Sequence, residues 1–162
     1  MRWIVLLMIG LSGYAQAAPL PDCTLTSLDG GESRQLREIQ QGKVLYVDFW
    51  ASWCTSCAHA FKFLNDLESD LQDRGFAVIG VNLDENRTDA ENFLERFPPR
   101  FTVLADAEAQ CAKDFGVQGM PASYLIDRTG EVRYRHLGFR SGDADELRRA
   151  IEKLVAEPSP DG

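Results

Sequence analysis

Two cysteines three residues apart, Cys54 and Cys57 in Trp53-Cys54-Thr55-Ser56-Cys57, are the residues of this 162-residue chain best suited to chemistry. A thiolate attacks a disulfide sulfur to give a mixed disulfide, and a second thiol within reach resolves it, so this spacing suits thiol-disulfide exchange. As a structural link the pair would do little. A loop this short contributes about 2 kcal/mol of chain entropy, against about 4.7 kcal/mol for a hundred-residue loop. A zinc site would need a second pair of ligands, whereas Cys23 and Cys111 are isolated and His59 and His136 are the only histidines. Cys23 and Cys111 read most simply as buried small hydrophobes, with a disulfide between them as the lesser alternative. His59 reads as a solvated helix residue and His136 as structural. The second candidate is Asp48, inside Val44-Leu45-Tyr46-Val47-Asp48-Phe49-Trp50. A charged, unpaired carboxylate in such a strand costs several kcal/mol, so it must be neutral, hydrogen-bonded or functional. Strand alternation places it on the face of Tyr46 and Trp50, six residues before Cys54. It serves there either as a structural acid or as a proton relay that deprotonates Cys57.

The elements around these residues follow from apolar periodicity. Val44 to Trp50 is a nearly continuous apolar run, as expected of a central strand buried on both faces. The Cys pair lies where this strand turns into a helix reaching about Asp73, whose buried stripe is Phe61, Leu64, Leu67 and Leu71. Unpaired N–H groups and the helix dipole at that terminus favour a thiolate, making Cys54 the exposed nucleophile and Cys57, one turn in, the resolving thiol. Strands are expected at Cys23 to Ser27, Phe76 to Leu83, Thr102 to Leu104, Ala122 to Ile126 and Val132 to Leu137. Helices are expected at Ser33 to Gln40, Thr88 to Phe97 and Ala109 to Phe115. A last helix, capped by Asp143 with Glu146 three residues on, turns Leu147, Ala150, Ile151 and Leu154 inward. This order predicts an α/β fold with a mixed sheet and helices on both faces.

Composition sets the limits. With 44% hydrophobic residues the chain can bury one core, and no internal repeat points to a solenoid. Seventeen Lys and Arg against 25 Asp and Glu, with no basic run, exclude a nucleic-acid partner. Arg2, the apolar stretch Trp3 to Leu11 and Ala15-Gln16-Ala17 read as a signal peptide of residues 1–17, cleaved after Ala17. The apolar run is about half of the roughly 20 residues that span a bilayer. The expected organisation is therefore a leader at 1–17, one domain at 18–156 and a flexible tail at 157–162. The mature chain is expected to be exported and soluble, in an oxidising compartment.

The segment Val47-Asp48-Phe49-Trp50-Ala51-Ser52-Trp53-Cys54-Thr55-Ser56-Cys57 resembles the active-site segment of thioredoxins. Exported reductases of the TlpA/ResA family are closer still. They combine it with a leader, a strand-helix insertion like Leu83 to Leu104, and a Gly-x-x-Gly-x-Pro segment, here Gly116-Val117-Gln118-Gly119-Met120-Pro121, before Leu125-Ile126-Asp127. The resemblance covers roughly Pro21 to Val155. It implies a thioredoxin fold with an N-terminal β extension, dithiol-disulfide exchange with protein substrates such as apocytochromes, and a membrane electron donor of the DsbD or CcdA type. No cofactor is implied beyond the Cys54–Cys57 disulfide, and a monomer is expected. It further implies that Asp48 is the relay acid and that Met120-Pro121 is cis beside the Cys pair, its Met120 backbone pairing with an extended substrate segment. Trp53 flanks the site for packing and substrate contact. Three departures stand out. Thr55-Ser56 contains no Pro, Ala60 stands where ResA-type proteins often place a Glu, and Gly80 stands where thioredoxins pair the buried Asp with a Lys. The alternative from another class is a copper chaperone using Cys54, Cys57 and a His, against which the two-residue Cys spacing counts.

Overall fold

A computed structural model describes residues 18–159; the leader expected at 1–17 and the end of the tail lie outside them. Eight strands form one mixed sheet: β1 (Ala18–Pro19), β2 (Thr24–Ser27), β3 (Ser33–Gln35), β4 (Val44–Trp50), β5 (Phe76–Asn82), β6 (Thr102–Ala105), β7 (Ala122–Ile126) and β8 (Glu131–Leu137). Their spatial order is β1-β8-β7-β4-β5-β6-β2-β3. Strand β4 is buried along its whole length, as its apolar run requires, and pairs parallel with β5 and antiparallel with β7.

The two faces of β4 sort the helices. Val44, Tyr46 and Trp50 pack with α2 (Thr55–Leu71), α3 (Arg87–Arg96) and α5 (Asp143–Val155), in a cluster holding Phe61, Leu64, Leu67, Phe93, Leu147 and Ile151. Leu45, Val47 and Phe49 face the opposite way, onto α1 (Leu36–Gln40) and α4 (Gln110–Asp114), with Leu36, Cys111, Ala112 and the nearby Phe115. Both faces of the sheet are therefore covered, as expected.

Three expectations are corrected. Ser33 to Gln35 is a strand of a β2–β3 hairpin and not the first turn of a helix. Ser27 and Asp29 collect the Gly31 and Glu32 amides and fold the chain back on itself, and the helix starts only at Leu36. Asp143 is the first residue of α5 and not its cap. Its carboxylate turns back to accept the Arg140 amide at 2.7 Å and meets His136 Nε2 at 3.0 Å, which gives His136 its structural part. Cys23 and Cys111 are not merely buried small residues: they form a disulfide, with Cα atoms 5.2 Å apart, joining the start of the hairpin to α4.

Candidate active site

The turn from β4 into α2 delivers the Cys pair. Cys54 is the N-cap of α2, in extended conformation, and its Sγ accepts the Cys57 amide at 3.2 Å, so sulfur satisfies one of the amides at the helix terminus. Cys54 and Cys57 are joined as a disulfide with Cα atoms 5.3 Å apart. Cys57 is fully buried, and Cys54, read from sequence as exposed, is only 6% exposed. The correction has a geometric cause. Cys54 meets the surface through a cleft of about 180 Å3 between the first turn of α2 and the end of α3. Trp53, by contrast, is 72% exposed.

The loop carrying the Cys pair is tied to the end of β5. Ser52 donates its amide at 2.9 Å and its hydroxyl at 2.8 Å to the Asp84 carboxylate, which also takes the Asn82 side chain at 2.7 Å. This clasp was not read from the sequence, where Asn82-Leu83-Asp84 carries no signal beyond its polarity. Met120-Pro121 is cis, as the resemblance implies, and Met120 packs against the cluster that contains both cysteines.

Asp48 lies on the face of Tyr46 and Trp50, as alternation requires, and is 1% exposed. Its Oδ1 accepts the Ser123 hydroxyl at 2.6 Å from the directly opposed position on β7, while Oδ2 is buried without a partner. Burial pushes its carboxyl up to about 7, the Ser123 hydrogen bond pulling the other way. There is no room at Gly80 for a cation. A Cβ at that position would stand 2.9 Å from the Phe101 ring and 3.3 Å from Trp50 Nε1. Ala60 is buried on α2, so that position supplies no acid, and Asp48 shares its face of the sheet with the cluster that holds both cysteines. Ser123 was missed, although the signal was available: like Asp48, it is a polar residue inside an otherwise apolar strand.

The sign of the Asp48 shift yields a stability prediction. Between about pH 4 and 7 the folded protein holds a proton that the unfolded chain has released, so stability declines as pH rises through that window. Asparagine has no such proton to lose. Asp48→Asn is expected to gain about 2–4 kcal/mol over the parent at pH 8 and little at pH 4, read from denaturant unfolding at the two pH values. An equal gain at both would show that Asp48 is not the group that ionises near pH 7.

Among the described residues no three His, Cys, Asp or Glu side chains gather as a metal site would require. His59 is exposed on α2 and His136 is engaged by Asp143. No described helix is long and apolar enough to cross a membrane.

A disulfide at the start of the helix after a central strand, a cis-proline loop packed beside it and a mixed sheet covered on both faces define a thioredoxin-like thiol-disulfide oxidoreductase. The chain belongs to the Redoxin family, whose model matches residues 15–151. Thiol-disulfide oxidoreductase ResA of Geobacillus kaustophilus is 32% identical over 143 residues, covering 88% of this chain and 80% of that protein. Thiol:disulfide interchange protein DsbE of Escherichia coli is 34% identical over 122 residues, covering 74% of this chain and 64% of that protein. A crystal structure described as a DsbE thiol:disulfide interchange protein from Chlorobium tepidum superposes with a TM-score of 0.81 at 38% identity, covering 86% of this chain and 97% of that one. These relatives bear out the resemblance to the ResA type.

Proposed function

We propose that this chain is an exported, periplasmic reductase of protein disulfides. The observation that carries the reading is the asymmetry of the pair. Cys54 opens into a cleft where a substrate sulfur can approach, while Cys57 is sealed beneath it and can reach only Cys54. Cys54 is the attacking thiolate, favoured by the helix terminus, and Cys57 resolves the mixed disulfide. Asp48, on the same face of the sheet, takes the Cys57 proton as that thiol attacks. Trp53 and the Met120-Pro121 loop flank the sulfurs and offer apolar surface and backbone to an extended substrate segment. No cofactor is needed beyond the Cys54–Cys57 pair, and the protein acts as a monomer.

Asp48 also supports the direction of electron flow. With no cation beside it, its charge above about pH 7 opposes a second negative charge on the reduced thiols, which favours the disulfide and makes the dithiol a better reductant. The test is the reduction potential, measured by equilibration with a glutathione or dithiothreitol couple. It is expected nearer the roughly −270 mV of thioredoxin than the roughly −120 mV of DsbA. A value near the latter would make the protein an oxidant. The substrates are other exported proteins, apocytochromes among them, with a membrane carrier of the DsbD or CcdA type restoring the dithiol. The Asp48→Asn variant that gains stability at pH 8 should also resolve mixed disulfides more slowly between pH 7 and 8. That deficit should shrink at high pH, where Cys57 can ionise unaided.

A further inference from the structure

We propose that the cleft beside Cys54, with the groove that shares its Ala58, Arg96 and Phe97, seats the substrate chain next to its reacting cysteine and selects a carboxylate side chain, through Arg96 in the cleft and Arg100 in the groove. The proposal rests on the disulfide-exchange reading and names a substrate class for it: protein disulfides whose reacting cysteine lies within a few residues of Asp or Glu. The cleft is walled by Cys54, Thr55, Ala58, Phe93, Arg96 and Phe97. Ala58, Arg96 and Phe97 also border a larger groove of about 400 Å3 between α2 and the segment after α3, which Arg100 lines. Phe97, 36% exposed, offers an apolar wall to the same cleft as the attacking Cys54.

Charge decides the occupant. The other cation of the groove, Lys62, is held by Asp66 at 3.0 Å, which also occupies the groove's own carboxylate. Arg96 and Arg100 make no ion pair among the described residues, although the chain as a whole carries a net charge of −8. The Arg96 guanidinium lies 5.8 Å from the Phe97 ring centroid, with Nε on the Asn92 carbonyl, so it is oriented before any substrate arrives. The Arg100 amide is bonded to Asn65 Oδ1 at 2.6 Å, fixing the backbone that presents its side chain. A planar guanidinium with free donors matches a carboxylate in a bidentate geometry. An acidic protein that repels anions generally thus offers two guanidinium groups without an ion pair among the described residues, Arg96 in the cleft of its reactive sulfur and Arg100 in the adjoining groove.

The reaction is ordinary exchange. The Cys54 thiolate forms a bond to one substrate sulfur while the substrate S–S bond breaks, and the leaving thiolate takes a proton. The Cys57 thiolate, its proton passed on, then bonds to Cys54 Sγ and expels the second substrate thiolate, so two electrons pass from protein to substrate.

The test uses three cysteine peptides, identical except for Glu, Gln or Lys two residues from the cysteine. Each is presented as its disulfide with mercaptoethanol to the fully reduced protein at low salt. The Glu peptide is expected to be reduced about fivefold faster than the Lys peptide, with Gln between them, as a rim ion pair would give. The ratio should fall towards one at 1 M salt, where the Debye length is about 3 Å. Arg96→Glu with Arg100→Glu should invert the order. Equal rates for Glu and Lys peptides, or a preference that survives the double substitution, would overturn the docking proposal while leaving the oxidoreductase reading intact. Failure of the parent protein to reduce even the Gln peptide would overturn both.

Discussion

Cys54→Ala is expected to lower the reduction of insulin disulfides by at least on the order of a thousandfold, to the rate of the free reductant alone. Cys57→Ala loses turnover for a different reason and accumulates mixed disulfides with its substrates. The contrast follows from burial. The sulfur of Cys54 borders the cleft and can be reached, whereas Cys57 is fully buried and a protein disulfide cannot be brought to it. Trapping is read by electrophoresis without reductant after incubation with an oxidised substrate protein. Equal trapping by the two variants would reverse or dissolve the assignment of attacking and resolving thiols.

The second large effect concerns stability. Cys23→Ala with Cys111→Ala removes a link across 88 residues, and the chain-entropy model puts its contribution at about 4–5 kcal/mol. For a domain of this size that corresponds to a fall in melting temperature on the order of 10–15 °C. Activity per folded molecule should be unchanged at low temperature. The Cys23–Cys111 disulfide packs on the α1 and α4 face of the sheet, and the Cys54–Cys57 pair on the face of α2, α3 and α5. Thermal melts and activity of the double variant, compared with the parent, check both statements. A melt within a few degrees of the parent would mean that packing around Leu20, Leu25 and Leu36 holds the hairpin without the link.

What could be read along the chain and what could not divides by the range of the interaction that decides it. Strand β4, the stripe on α2 and the placement of the Cys pair at a helix start rest on local periodicity, and they stand in the structure as read. Ser33 to Gln35 has no such pattern. Its pairing with β2 is set by the Ser27–Gly31 turn, which is local in sequence but competes with a plausible helix in its neighbours. The Cys23–Cys111 link depends on β2 and α4 meeting across the sheet, which no spacing rule conveys over 88 residues. Asp48 was legible as an anomaly in an apolar strand; its Ser123 partner was visible by the same rule but not paired with it, because the register of β4 with β7 is a tertiary fact. Arg96 and Phe97 look on the sequence like the unremarkable end of a surface helix. They gain meaning only because α3 ends beside the first turn of α2.

The Cys23–Cys111 disulfide also determines how the chain would carry mechanical load. Pulled from its two ends, the oxidised molecule transmits tension through the residues before Cys23, across the sulfur bridge, and on through α4, β7, β8 and α5. Everything from β2 to β6, including Cys54 and Cys57, hangs off that path as a closed loop. Up to about 300 Å of chain length is thereby hidden from the pulling force until the bridge is reduced. Once the pairing of β4 with β7 has parted, the segment that performs the exchange lies off the covalent line of tension.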